Sequence, residues 1–158
     1  MSVAVRRAAP FDAGAMAALL NAIIAEGGTT ALTEPVTGDA LRARMRDPEA
    51  AWHVAEVAGD VAGFQWIAPH AADPEACEIA TFVARGRHGL GIGSALWEAT
   101  RAEARARGWR VVEAVIRADN DGGCAYYRSR GFEAVGWREG VRLSDGRQVD
   151  KVVKRFRL

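Results

Sequence analysis

Residues 77–97, CEIATFVARGRHGLGIGSALW, concentrate the residue types in this 158-residue chain that could do chemistry. One carboxylate, Glu78, stands in an otherwise apolar run, and that run passes through an arginine and glycine loop straight into helical spacing. Such a loop is suited to phosphate. The first N–H groups of a helix have no internal partner, lie at the positive end of its dipole, and can be approached closely where glycines replace side chains. The expected ligand is a phosphorylated cofactor.

Three phosphate-holding loops compete for this stretch. A nucleoside-triphosphate loop ends in Gly-Lys-Ser/Thr, whereas Gly93-Ser94 here has no lysine in the loop. A dinucleotide loop wants a third small residue where Ser94 follows Gly89 and Gly91, and an acidic residue closing the next strand, where Arg117 stands instead. The third resembles the Gln/Arg-x-x-Gly-x-Gly/Ala loop of the GNAT acetyltransferases. His88-Gly89-Leu90-Gly91-Ile92-Gly93 fits it from the second residue on, with His88 where Gln or Arg is usual.

Composition admits this without requiring it. The chain is 49% hydrophobic, long enough for one cored domain and too short for two, so a single domain over 1–158 is expected. A net charge of +1 with dispersed arginines offers no field for nucleic acid or an anionic membrane. Cys77 and Cys124 are too few for a disulfide framework, and neither a leader-like start nor a membrane-length apolar run is present. The expectation is a soluble cytoplasmic protein.

Positioning elements follow from periodicity. Residues 3–7 alternate as a strand; Asp12 is placed to cap a helix through Met16, Leu19, Leu20, Ile23 and Ile24 that stops at Gly27-Gly28; Thr37 is placed to cap a second through Leu41 and Met45. Residues 51–57 and 61–67 read as a hairpin about Ala58-Gly59-Asp60, followed by a strand at 78–83. A helix over 91–107 with Ile92, Leu96, Ala99, Ala102 and Ala106 inward precedes a strand at 109–116, a pattern that implies parallel neighbours. A short helix over 122–130, a strand at 132–137, a turn at 143–147 and a strand at 149–156 complete an α+β order around one central sheet.

That order resembles the GNAT N-acetyltransferase fold along the whole chain. It implies a mixed, mostly antiparallel sheet of six to seven strands flanked by about four helices. The loop from His88 to Ser94 and the spacing from Asn120 to Tyr127 and Gly131-Phe132 sit where that family has its motifs. Within it, Thr30, Thr33-Glu34-Pro35, Glu78 before Thr81-Phe82-Val83, and Asp150 resemble the phosphinothricin acetyltransferase branch, although Tyr127 stands where that branch places a histidine.

The resemblance implies acetyl-coenzyme A as cosubstrate, no metal, and a small primary amine as acceptor, attacked directly in a ternary complex. A bulge around Thr81, Phe82 and Val83 is expected to free an N–H for the carbonyl oxygen, and that strand edge to pair with the pantetheine amides. His88, Gly89, Leu90, Gly91, Ile92, Gly93 and Ser94 are expected to hold the pyrophosphate, and Asn120 the pantetheine arm. Glu78, partly buried, is the expected base, and Tyr127 the acid beside the sulfur, with Tyr126 as its fallback. Arg85 and Arg87 read equally as phosphate contacts or solvated charges. The acceptor is assigned to the 27–35 loop, the strand through Gln65 and Trp66, and the loop around His70. His70, Asp73 and Cys77 match no established metal spacing, and Cys124 reads as a small buried apolar residue. Many relatives pair as dimers, so the resemblance leaves a homodimer open, with the last strand placed to take part. An acyl-coenzyme A-binding regulatory module and a dinucleotide-dependent reductase are the alternative classes.

Overall fold

In the computed structural model, which describes residues 2–158, the alternating runs form β1 (Val3–Arg7), β2 (Ala51–Val57), β3 (Asp60–Pro69), β4 (Ala76–Val83), β5 (Val111–Arg117), β6 (Glu133–Arg142) and β7 (Gln148–Arg157). The helical spacings form α1 (Ala13–Glu26), α2 (Gly38–Met45), α3 (Ile92–Ala106) and α4 (Asp121–Arg130). The described strands make one seven-stranded sheet in the order β1-β2-β3-β4-β5-β7-β6, antiparallel at every rung except β4–β5. The mixed, mostly antiparallel α+β sheet expected from the sequence is therefore the fold.

Strand alternation sends side chains to two faces, and each face has its own core. Met16, Leu20 and Leu41 from α1 and α2 cover Trp52, Val54 and Phe64 on one face. Trp97 and Tyr127 from α3 and α4 pack over Ile67, Val112 and Ile116 on the other. Gly63, a weak point in a strand on propensity, is explained by packing: a Cβ there would stand 2.8 Å from Ile92 Cγ2, so glycine lets α3 lie close to β3. The β2–β3 turn uses positive φ at both Ala58 (52°) and Gly59 (85°), matching the twist of a tight hairpin.

Three local expectations change. Asp12 precedes α1 but makes no side-chain cap; its carboxylate takes Arg6 Nη1 and Nη2 at 2.8 Å each and the Ala9 N–H at 2.7 Å, which closes a 3₁₀ turn instead. The inner stripe of α3 is Ile92, Leu96, Thr100 and Ala104 with Trp97 beside it, while Ala102 and Ala106 face solvent. β6 runs on to Arg142 and is almost wholly exposed, because β7 inserts between it and β5 and leaves it at the edge.

β4 and β5 share only the rungs Ala76↔Val111, Cys77↔Val112 and Glu78↔Glu113, and then part. Each strand is pinned on its far side, β4 by β3 up to Val83 and β5 by β7 up to Arg117, so the gap widens between them. This fork positions the site.

Candidate active site

The free edge of β4 comes from the fork and not from a bulge. β3 and β4 stay in register from Pro69↔Cys77 to Gly63↔Val83, which corrects the bulge expected at Thr81 to Val83. The Ala84 N–H bonds to Ala62 O at 2.8 Å, on the β3 side, so alternation turns the N–H and C=O of Thr81 and Val83 toward the gap. Beyond Glu78 no strand pairs with that edge among the described residues. The gap opens into a cleft of about 1130 Å³ lined by Thr81, Phe82 and Val83.

One end of the cleft is the glycine loop. Gly86, Gly89 and Gly91 have φ of 75°, 84° and 79°, a region that L side chains rarely adopt, and Gly91 is the left-handed residue that starts α3. The N–H groups of Ile92, Gly93 and Ser94 are left without helical partners at this end. Gly93 has a different reason to be glycine: a Cβ there would lie 2.7 Å from the Tyr126 ring. His88, Gly89, Gly91, Ile92, Gly93 and Ser94 line the cleft; Leu90 does not, its side chain being exposed. Arg85 and Arg87 also line it, with Arg85 paired to Glu26 across from α1. Arg130, unmarked in the sequence, reaches back from α4 to donate to Ser94 Oγ and adds a positive charge beside these amides.

Tyr127 and Thr81 meet inside the fork, with hydroxyl to hydroxyl at 2.8 Å. Gln65 Nε2 donates to Thr81 Oγ1 at 2.8 Å and to the Tyr126 hydroxyl at 3.2 Å, while that hydroxyl donates to Gly93 O at 2.7 Å. Burial pushes the Tyr127 phenol above its ordinary value, with the Thr81 bond acting the other way, so it holds its proton. Gln65, placed with the acceptor by sequence, is fully buried on the α3 side and belongs to this network instead. Asn120 lines the cleft while its Oδ1 caps α4 at Gly123 N–H (2.9 Å) and its Nδ2 donates to Thr29 O (3.1 Å). With Arg117 Nη1 donating to Thr30 O at 3.1 Å, Asn120 ties the α1–α2 loop over the opening.

Glu78 stands on the last rung of the fork. The partial burial expected for it is absent, since its side chain is 51% exposed, because α1 and α2 cover β2 and β3 and stop short of this part of the sheet. Neighbouring it are two groups that spacing alone hid: His70 Nε2 at 3.8 Å and, across the rung, Glu113, which is 4% exposed. Cys77 points into the opposite core, away from His70 and Asp73. On this face the cleft continues past Phe82 and Trp66, with Arg44 stacked 4.9 Å above the Trp66 ring and Lys151 on the far wall. Burial first, then the Arg138 and Arg117 charges, lower the Lys151 amine.

The arrangement can hold an anion on backbone amides, pair an extended amide chain along β4, and present a phenol and a carboxylate near the fork. The chain is 31% identical over 142 residues (85% of this chain, 76% of the relative) to phosphinothricin N-acetyltransferase of Streptomyces viridochromogenes. It superposes on a ribosomal-protein-alanine N-acetyltransferase of Brucella melitensis with a TM-score of 0.88 and 29% identity, covering 98% of this chain and 99% of that one. A phosphinothricin acetyltransferase of Sinorhizobium meliloti, solved in complex with acetyl-coenzyme A, matches with a TM-score of 0.89 and 22% identity, covering 100% and 89%. A model of the "Acetyltransferase (GNAT) family" matches residues 14–132, and the chain belongs to that family.

Proposed function

We infer that the protein moves an acetyl group from acetyl-coenzyme A to the primary amine of a small, amino-acid-like molecule, by direct attack within a ternary complex. As a GNAT acetyltransferase it is an acetyl-coenzyme A-dependent enzyme, and the cosubstrate supplies an activated thioester. One observation carries the reading: the unpaired edge of β4 leads from a fork bearing Glu78 and Tyr127 to a helix start that left-handed glycines leave open. No Cβ built at Gly89 or Gly91 meets any protein atom within 4 Å, so the cradle has room for the diphosphate against its amides.

In this reading Gly89 to Ser94 bind the diphosphate, and Thr81 and Val83 pair with the pantetheine amides as an added strand. A β4 N–H polarises the thioester carbonyl without needing a bulge. Glu78 takes the proton of the acceptor amine, and Tyr127, protonated because it is buried, gives its hydrogen to the departing sulfur. Asn120, already capping α4, faces the pantetheine arm. Trp66, Arg44 and Lys151 form the acceptor wall, and cations there suit a carboxylate-bearing amine.

A homodimer would use the apolar patch of Val135 and Trp137 on the exposed edge strand β6. The cytoplasmic location is likewise proposed; no described helix is long and apolar enough to cross a membrane. A free-thiol assay with acetyl-coenzyme A against amino acids, polyamines, phosphinothricin-like amines and an alanine-starting peptide tests donor and acceptor together. Turnover on an amino acid or its analogue is the expected result; thiol release with none of the amines would leave a binding module.

A further inference from the structure

At the foot of the fork, Glu78 and Glu113 face each other on adjacent strands, where two carboxylates repel. Arg155 offsets Glu113, its Nε and Nη2 both 2.8 Å from Oε2. Asp73 holds Arg155 from the other side at 3.0 Å, and Arg138 Nη2 stands 3.9 Å from Glu113 Oε1. Glu78 has no such cation. Among the described residues, the only basic side chain within 4.0 Å of its carboxylate is His70, whose Nε2 lies 3.8 Å from Glu78 Oε1 and 3.1 Å from Glu113 Oε1.

The other ring nitrogen fixes what His70 can do. Its Nδ1 accepts the backbone N–H groups of Ala72 at 3.0 Å and Asp73 at 2.9 Å. A nitrogen receiving two N–H groups carries no hydrogen, so the neutral ring has its proton on Nε2, donated to Glu113 Oε1 at 3.1 Å, with Glu78 Oε1 beyond hydrogen-bond reach at 3.8 Å. Taking up a proton at Nδ1 would break both turn bonds. The same tautomer argues against a metal, although the His70, Glu78 and Glu113 ligand atoms lie within 4.8 Å of one another: protonated Nε2 has no free lone pair, and Arg155 already engages Glu113.

We propose that His70 is a positioning residue for Glu78: its Nε2–H binds the facing Glu113 carboxylate, which lessens the repulsion of Glu78 at the fork, and the ring itself takes no proton from the acceptor. This rests on Glu78 as the base, which Glu78→Gln tests separately.

His70→Ala should lower kcat about 10-fold or more, a part of the roughly 10²–10⁴-fold effect of a general base, with the KM for acetyl-coenzyme A unchanged. His70→Gln places an amide N–H where Nε2 stands but cannot titrate, and should keep kcat within about 3-fold of the parent. In a Glu78→Gln background, His70→Ala should cost no more than about 2-fold further, because the two act as one unit. If the alanine variant fails to fold, His70→Phe fills the volume without a donor and takes its place.

Equal losses in His70→Gln and His70→Ala would make the ring a proton acceptor and overturn the proposal. So would a full further loss in the Glu78→Gln background, an unaffected His70→Ala, or parent activity removed by a chelator and restored by a divalent cation. An unaffected Glu78→Gln would remove the base and, with it, anything for His70 to position.

Discussion

The two sides of the β4–β5 fork are made of different material. Toward α3 the cleft is formed by main chain: the β4 edge, left-handed glycines and the open start of a helix. Toward α1 it is lined by side chains from separate elements, Trp66, Arg44 and Lys151, with Glu78, His70 and Glu113 outside that lining at the foot of the fork. A main-chain site tolerates almost any side chain that does not obstruct it. A side-chain site changes with every substitution, so in the proposed reading the acceptor can vary while the donor cradle is kept.

Variants on each side should therefore fail in different ways. Glu78→Gln is expected to reduce turnover by about 10²–10⁴-fold while acetyl-coenzyme A affinity, read by calorimetry, stays at the parent value. A matching loss of affinity would erase the distinction between the sides. Tyr127→Phe lies at the boundary and should slow turnover by about 10²-fold, the lower end for an acid. Burial raises this phenol, so its proton persists upward through the ordinary value near 10, and no loss of turnover below about pH 10 should trace to it. A decline in the parent's rate below that pH that vanishes in Tyr127→Phe would contradict the assignment.

On the main-chain side, Gly91→Val forces a side chain into a φ of 79°. A strain of about 1–2 kcal/mol should weaken acetyl-coenzyme A binding about 10-fold, whereas His88→Ala should leave it within about 2-fold. The reverse pattern would show that side chains, not amides, hold the diphosphate. The smallest effect is expected at Arg44→Ala, which removes a cation–π contact of about 0.5–1 kcal/mol and should raise the acceptor KM by about 2- to 5-fold with the donor KM unchanged.

The same division explains what the sequence discloses. The strand, glycine loop and helix of the proposed donor side are contiguous, so their order and the placement of Gly89, Gly91, Asn120 and Tyr127 on the cleft follow from local spacing. The proposed acceptor side depends on register. Only the pairing of β4 with β5 brings Glu113 opposite Glu78, and only the turn at Ala72 and Asp73 turns His70 Nε2 onto Glu113, beside Glu78. Gln65 lies on the α3 side and not with the acceptor wall for the same reason, since a one-residue change of parity moves a strand side chain to the other face. The bulge expected in β4 has no counterpart because strand divergence alone exposes its edge. Gly93 reads as part of a phosphate loop, yet the Tyr126 ring it contacts lies in a helix far along the chain.

In the proposed reading, main-chain amides at the mouth and edge of this fork receive the donor. Amide chemical shifts recorded while coenzyme A is added to the ¹⁵N-labelled protein test it most directly. The largest shifts are expected at Thr81, Val83, Gly89, Gly91, Ile92 and Gly93, with β6 unmoved. Saturable binding that leaves those amides in place, or that shifts signals only elsewhere in the sheet, would contradict it.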